Sequence, residues 1–313
     1  MIDIKLLEKK AENGVDYLAD YKQGLQNRNG TEEHMKALEQ LLKLNIERKD
    51  IISISETEKA KQNKLSAEVG VLKREGKDAS AILAEVDQLK AKVKELELKA
   101  QEADERVQNL ALVLPNKPHS SVPAGKSETD NKVVKTWGEI KKFNFKPKEH
   151  FELGEKLNII DFERAGKTTG ARFAFLKGAA AQMERGLIQF MMDMHSTKHG
   201  YTEMIPPFIV NSKSLLGTGQ FPKFKEDVFN LSGTDYYLIP TAEVPVTNYY
   251  NGETLGEDQI PQSFCAYSPC FRSEAGSHGR DTKGLIRQHQ FDKVELMTRS
   301  EEHTSELQSR YVI

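Results

Sequence analysis

The feature that most constrains this chain is an apolar seam in its first third. Ile82, Val86, Leu89, Val93, Leu96, Ala100, Ala103, Val107 and Leu110 follow one another at alternating steps of four and three. Such a repeat, sustained over about four heptads, aligns one stripe of a helix for a partner helix, as in a coiled coil. Lys and Glu fill the positions between, as solvated flanks require. Residues 32–69 supply the partner: they hold no proline and carry a stripe of Leu38, Leu41, Leu42, Ile46 and Ile52 that thins toward its end. Two glycines in GVLKREGKD, residues 70–78, break the pattern. The expectation is two long antiparallel helices joined by that turn, a hairpin about 50 Å long or more at about 1.5 Å per residue.

Pro115 and Pro118 end the second helix, and LPNKPHSSVPAGKSETDN has the composition of a linker. Past Trp137 the texture becomes a mixture of strands and helices. FAFLKGAAAQMERGLIQFMMDMHSTKH, residues 173–199, reads as a buried helix. EMIPPFIV, residues 203–210, reads as an apolar strand interrupted by Pro206 and Pro207, and prolines that cannot donate to a ladder belong at an edge or an interface. Further strands are expected over 236–239, 264–271 and 285–297. The chain thus divides into a helical hairpin (1–112), a linker (113–136) and an α+β unit (137–298). RSEEHTSELQSRYVI, residues 299–313, fits none of these patterns. RSEEHTSELQS is what in-frame translation of a sequencing-library adapter yields, so this stretch is set apart as a non-native tail.

A chain of 313 residues is long enough for two domains. Its charged fraction of 29% and hydrophobic fraction of 38% agree with long exposed helices. The formal net charge of -2 excludes a protein that coats nucleic acid through a basic field over its whole surface. Cys265 and Cys270 form no CxxC pair, which favours a reducing, cytoplasmic setting over a disulfide framework. The first residues lack the apolar run of a signal peptide, and no stretch of about 18 apolar residues exists to span a membrane.

The segment LIRQHQFDKVELM carries the chemistry. Strand side chains alternate faces, so Arg287, Phe291 and Glu295 are expected to point the same way, adjacent members about 13 Å apart. The preceding strand ends in CFRSE, which puts Arg272 opposite Arg287, and the loop AGSHGRDTKG adds Arg280 and Lys283. A cation, an aromatic plate and a carboxylate in a row suit an aminoacyl-adenylate. Arginines grip phosphate oxygens, the ring stacks on adenine, and the carboxylate accepts from a small polar amino acid. The same spacing also occurs in amphipathic strands with solvated ions, so alternation alone does not decide between them.

FRSEAGSHGRDTKGLIRQHQFDKVEL closely resembles motif 2 of the seryl-tRNA synthetases, LIPTAEVP resembles their serine-binding TxE loop, and GYTEMIPPFIV looks like motif 1 of class II synthetases. The resemblance extends from the N-terminal hairpin to Met297. It implies an incomplete class II antiparallel β-sheet catalytic domain behind a tRNA-binding coiled-coil arm. The activity implied is ATP-dependent activation of L-serine followed by transfer to serine tRNA. By the same resemblance, Arg272 and Arg287 would be catalytic. Arg272, Ser273, Glu274, Arg287 and Phe291 would bind ATP, and Thr241, Ala242, Glu243 and Glu295 would hold L-serine. Pro206 would sit at a homodimer interface, and Mg²⁺ would accompany ATP, its ligands falling beyond Met297. The arm's candidate tRNA contacts at the tip are Lys59, Lys61, Lys64, Lys73, Arg74 and Lys77. Glu56, Glu58, Glu68, Glu75 and Asp78 dilute their field, so the resemblance and not the charge supports RNA binding. Selenocysteine tRNA is a further candidate partner that the sequence does not separate from serine tRNA.

Other patterns carry less. Gly166, Lys167 and Thr168 end like a P-loop, but Asp161 stands where the motif needs glycine. His195 and His199 have zinc spacing with no third ligand, so solvated or capping roles fit better and no metal ligands are assigned. Met191, Met192 and Met194 read as core packing. Nothing after Met297 resembles the third class II motif, so this 313-residue chain is expected to lack activity even though its family is enzymatic. The alternatives are a non-enzymatic, synthetase-derived RNA- or partner-binding protein and a pure coiled-coil interaction protein. Intact Thr241, Glu243, Arg272, Phe291 and Glu295 argue against the first, and the second leaves the TAE and motif 2 strings unexplained.

Overall fold

A computed structural model describes residues 2–9, 16–28, 32–274 and 283–300. Arg280 and residues 301–313 therefore lie outside the described residues. Contacts divide the chain into two compact units, the first ending at Gly138 and the second beginning at Glu139.

In the first unit, α1 (Ile4–Glu8) and α2 (Tyr17–Asn27) precede α3 (Glu32–Arg74) and α4 (Ser80–Val113). Asp3 and Asp16 cap α1 and α2, each carboxylate accepting from two backbone N–H groups of the first turn. At 43 residues α3 is roughly 65 Å long. It packs antiparallel along α4, as the seam predicts. All nine seam residues of α4 are buried or half-buried, with Val93, Ala103 and Val107 fully so. The helices close on a base of Leu7, Tyr21, Leu25, Leu38, Leu41, Val107, Ala111 and Leu114. The Tyr21 hydroxyl donates to the Pro115 carbonyl at 2.7 Å, and burial pushes its pKa up to about 12.

The stripe expected on α3 is only half right. Ile46 and Ile52 are exposed, while Asn45, Ser55 and Glu58 occupy the seam. The spacing that keeps α3 against α4 selects those positions whatever their side chains. The polar centre is paired across the hairpin only in part, Asn45 Oδ1 and Arg48 Nε having no hydrogen-bond partner. Arg48 pairs with Asp104, and Glu58 with Lys92 at 2.9 Å. The hydrogen bond from Lys92 holds the Glu58 carboxyl below its ordinary value. Gly70 does not break α3 either, because a lone glycine is tolerated inside a helix. The break comes at Gly76, with φ of 70°. Its N–H donates to the Lys73 carbonyl and that of Lys77 to Leu72, the paired bonds of a Schellman terminus.

The second unit opens with α5 (His150–Lys156), β1 (Ile160–Asp161), α6 (Phe162–Thr168), β2 (Phe175–Leu176) and α7 (Ala179–Asp193). Then come β3 (Thr202–Glu203), β4 (Ile209–Asn211), α8 (Ser212–Gly217), β5 (Asn230–Leu231) and β6 (Tyr236–Leu238). Finally come α9 (Glu243–Thr247), β7 (Gln262–Phe271) and β8 (Gln290–Arg299). The sheets run β1-β2, β3-β7-β8 and β4-β6-β5. All pairs are antiparallel, as expected of this sheet, except the short β3, which runs parallel to β7. The proline pair splits the expected strand over 203–210 into β3 and β4. Ladder pairing carries through Arg299, opposite Gln262. Cys265 and Cys270 are buried thiols five residues apart on β7, hence on opposite faces.

The segment expected to be a buried helix is shorter and largely exposed. α7 spans Ala179–Asp193 and continues as one π-helical turn, Met194–Lys198. Ala180, Glu184, Ile188 and Met192, four apart, are its buried or half-buried stripe. Met183, Leu187, Phe190 and Met191 are exposed, so of the three methionines read as core only Met192 is fully buried. Asp161 caps α6, accepting from the Arg164 N–H at 2.9 Å, which gives Gly166–Thr168 an ordinary helical end. His195 and His199 contact each other at 3.0 Å. Among the described residues, no three His, Cys, Asp or Glu side chains gather as a metal group.

Glu184 of α7 meets Asp292 of β8, which also accepts from the Tyr267 hydroxyl at 3.0 Å. Burial, then the charge of Asp292 and a hydrogen bond to it, raise the Glu184 carboxyl above its ordinary value of 4.5. A carboxyl raised by folding binds its proton more tightly in the native state. Its contribution is therefore full below the ordinary value and is lost as pH rises through the raised one. Denaturation midpoints measured against pH for wild type and Glu184→Gln are expected to diverge over that window, the variant falling less. Parallel curves would refute the shared proton.

Candidate active site

The floor of the site is the β7–β8 ladder. Ala266 pairs with Glu295, Ser268 with Lys293 and Cys270 with Phe291. Alternation puts Phe291, Lys293, Glu295 and Met297 on one face of β8. Across from them β7 offers Ala266, Ser268 and Cys270, all small and at most 1% exposed. Small residues there let the segment after β6 lie close upon the sheet. That segment is anchored at Ile239, whose N–H donates to the Phe208 carbonyl and whose carbonyl accepts from the Phe271 N–H.

Thr241 and Glu243 are set by two cores at once. Ala242 and Val246 pack with Phe264 and Ala266, while Val244 joins Val210, Leu215 and Ile239. Ala242 is fully buried, and its side chain packs in the core that positions its neighbours. The Thr241 hydroxyl donates to Glu295 Oε2 at 2.8 Å and accepts from the Glu243 N–H at 3.2 Å. The loop and β8, 54 residues apart in sequence, are thus hydrogen-bonded directly.

The expectation for Arg287 needs correction. β8 begins at Gln290, so Arg287 lies in the bend before the strand and does not share its face by alternation. The ladder pairs Phe271 with Gln290, and Arg272 N–H bonds the His289 carbonyl. Continuing that register sets Arg287 across from Glu274, not Arg272, and the two form an ion pair. Arg287 still lines the same cavity as Arg272, Glu274 and Thr241, a space of about 350 Å³. That falls at the lower end of the range for small-molecule sites. The Arg272 guanidinium lies over the Phe291 ring, 5.0 Å from its centroid, with Nε donating to the Pro240 carbonyl at 3.4 Å.

Glu274 has φ of 52°, left-handed for a residue that is not glycine. Such a backbone costs roughly 1–3 kcal/mol and persists where the surroundings hold it. Here Ser273 is held on both sides, its N–H on the Asp227 carbonyl and its hydroxyl on that of Glu226, and Arg287 grips the Glu274 carboxylate. Ser273 therefore shapes the turn that presents Glu274.

Sequence reasoning missed Lys293, Gln220, Phe224 and Asp227. Lys293 was findable, being two residues from Phe291 and Glu295 on the same face; it pairs with Glu295 and donates to Thr241 at 3.2 Å. Gln220, Phe224 and Asp227 reach the cavity from the loop after α8, which carries no local signal. Of the cations read at the hairpin tip, Lys59 pairs with Glu97, Lys61 with Glu58 and Lys77 with Glu75. Lys59 lies well down α3, roughly 25 Å from the turn at about 1.5 Å per residue. Lys64, Lys73 and Arg74 are exposed. Pro206 is buried within its own chain beside exposed Ile205.

Comparison with known proteins adds an independent line. A family model described as the seryl-tRNA synthetase N-terminal domain matches residues 1–118, and one described as the class II core domain (G, H, P, S and T) matches residues 225–312. The serine–tRNA ligase of Bdellovibrio bacteriovorus is 75% identical over 297 residues, covering 95% of this chain and 68% of that protein. That of Listeria innocua is 48% identical, covering 95% and 67%. Among solved structures, seryl-tRNA synthetase from Pyrococcus horikoshii complexed with ATP superposes with a TM-score of 0.83 at 32% identity, covering 99% of this chain and 72% of that one.

Proposed function

Because the chain belongs to the seryl-tRNA synthetase family, we propose that its cavity binds ATP and L-serine in the geometry of seryl-adenylate formation, ahead of transfer to serine tRNA. The observation that carries this reading is the Thr241–Glu295 hydrogen bond beside the stacked Arg272 and Phe291. On this reading an amino-acid subsite adjoins a phosphate and base subsite along β8 and the segments that flank it. Glu295, Thr241 and Glu243 take the ammonium and hydroxyl of serine. A carboxylate deprived of the hydroxyl is left unpaired, which disfavours alanine. Arg272 takes the α-phosphate, Arg287 assists at the phosphates, Glu274 meets the adenine edge and Phe291 stacks on the base.

The serine carboxylate attacks the α-phosphorus in line, and the bond to pyrophosphate breaks. No protein nucleophile is needed, so rate comes from positioning and from guanidinium charge set against the charge that develops. The described residues offer no acidic cage for Mg²⁺, which would enter on the phosphates of ATP. Lys73 and Arg74 at the end of α3, and Lys64 about 15 Å before it, are exposed and serve as the arm's phosphate contacts.

No segment of these 313 residues resembles the third class II motif, and they span 68% of the Bdellovibrio relative. The chain is expected to bind a non-hydrolysable seryl-adenylate analogue by calorimetry yet to show no serine-dependent pyrophosphate exchange. Failure to bind the analogue would overturn the site, and exchange would overturn the inactivity. A homodimer is the expected assembly, with Met183, Leu187 and Phe190 on the outer face of α7 as its apolar contact. Sedimentation should show a dimer that Leu187→Glu dissociates. A monomeric wild type would contradict this.

A further inference from the structure

We propose that Lys293 makes the serine subsite demand a zwitterion, by occupying the carboxylate that an incoming ammonium group needs. The inference rests on the reading of Thr241 and Glu295 as the serine subsite. In the structure the Lys293 ammonium pairs with Glu295 and donates to the Thr241 hydroxyl at 3.2 Å. These are two of the three side chains, with Glu243, assigned to the ligand's ammonium and hydroxyl. Lys293 and Glu295 stand two apart on one strand face, so the pair is built in by alternation. The two side chains are 34% and 19% exposed, so the pair is only partly screened by water.

An amine that takes Glu295 must break the pair. A ligand that carries only an ammonium and a hydroxyl takes Glu295 and leaves the lysine without a counter-charge. A ligand that also carries a carboxylate gives the displaced Lys293 a new partner close by, and the exchange of ion pairs is balanced. The lysine therefore penalises simple amino alcohols and spares α-amino acids, a repulsive element built into a binding site. It is a specificity-determining residue and takes no part in the covalent chemistry.

The test compares L-serine with ethanolamine, which has the same ammonium and hydroxyl but no carboxylate. Ligand-observed NMR titrations would use the 313-residue wild type, Lys293→Met and Lys293→Arg, each checked for folding by circular dichroism. In Lys293→Met, serine should bind more weakly and ethanolamine more tightly, shrinking the serine preference by roughly tenfold, the scale of one charge-assisted contact. Lys293→Arg should restore most of the preference. Lys293→Gln repeats the test if methionine disturbs the strand. An unchanged preference in a folded variant that still binds the seryl-adenylate analogue would overturn the role of Lys293 and leave the site intact. A wild type that binds neither serine nor the analogue removes both readings, and that arm is read before any variant.

Discussion

Glu295→Gln is expected to bind the seryl-adenylate analogue roughly 10- to 150-fold less tightly than wild type, the loss of one hydrogen bond to a charged group. The substitution is chosen because it isolates charge. Glutamine keeps an oxygen to accept from Thr241, which now donates to Glu295 at 2.8 Å, so the loop and β8 stay joined. It cannot offset the ammonium of the ligand, nor that of Lys293, which pairs with Glu295 in the structure. Folding, followed by circular dichroism, should change little while calorimetric affinity collapses. An analogue affinity within twofold of wild type would place the amino-acid subsite elsewhere.

Leu41→Ala is expected to destabilise the hairpin by about 2–5 kcal/mol, the range for a leucine removed from a close-packed core. Leu41 is 0% exposed at the base of the hairpin, among Leu7, Leu25, Leu38 and Val107. Ile46→Ala is the control: Ile46 is 59% exposed and should cost under about 0.5 kcal/mol. Urea melts read by helical ellipticity distinguish them. Equal costs for the two would mean that the hydrophobic stripe in the sequence, and not the observed seam, is the packed face.

That contrast marks how far the sequence could be read. The α4 seam was legible to the residue because its apolar repeat is unbroken from Ile82 to Leu110. On α3 the reading strayed where geometry chose polar residues, and only the partner helix reveals that Asn45 and Glu58 lie inside. At the site, Thr241, Glu295 and Arg272 were legible from their motifs, and they converge. Arg287 was misplaced because the start of β8 is set by pairing with β7, which local alternation does not report. Phe224 and Asp227 enter the cavity through chain reversal after α8, where nothing in the local sequence signals a ligand. The exposed face of α7 was misread for a related reason: periodicity says that a stripe is apolar but not what covers it.

The charged middle of the hairpin sets a standard of length. Sliding α4 by one heptad in one direction would bring Glu58 beside Glu85 instead of Lys92. Sliding it the other way would bring Arg48 beside Ala111 instead of Asp104. Either slip strands a charge that the present alignment neutralises, whereas a wholly leucine-lined interface would tolerate both. The span from base to tip is thereby a constant of the molecule, as a spacer must have if its far end is to find the same point on every partner.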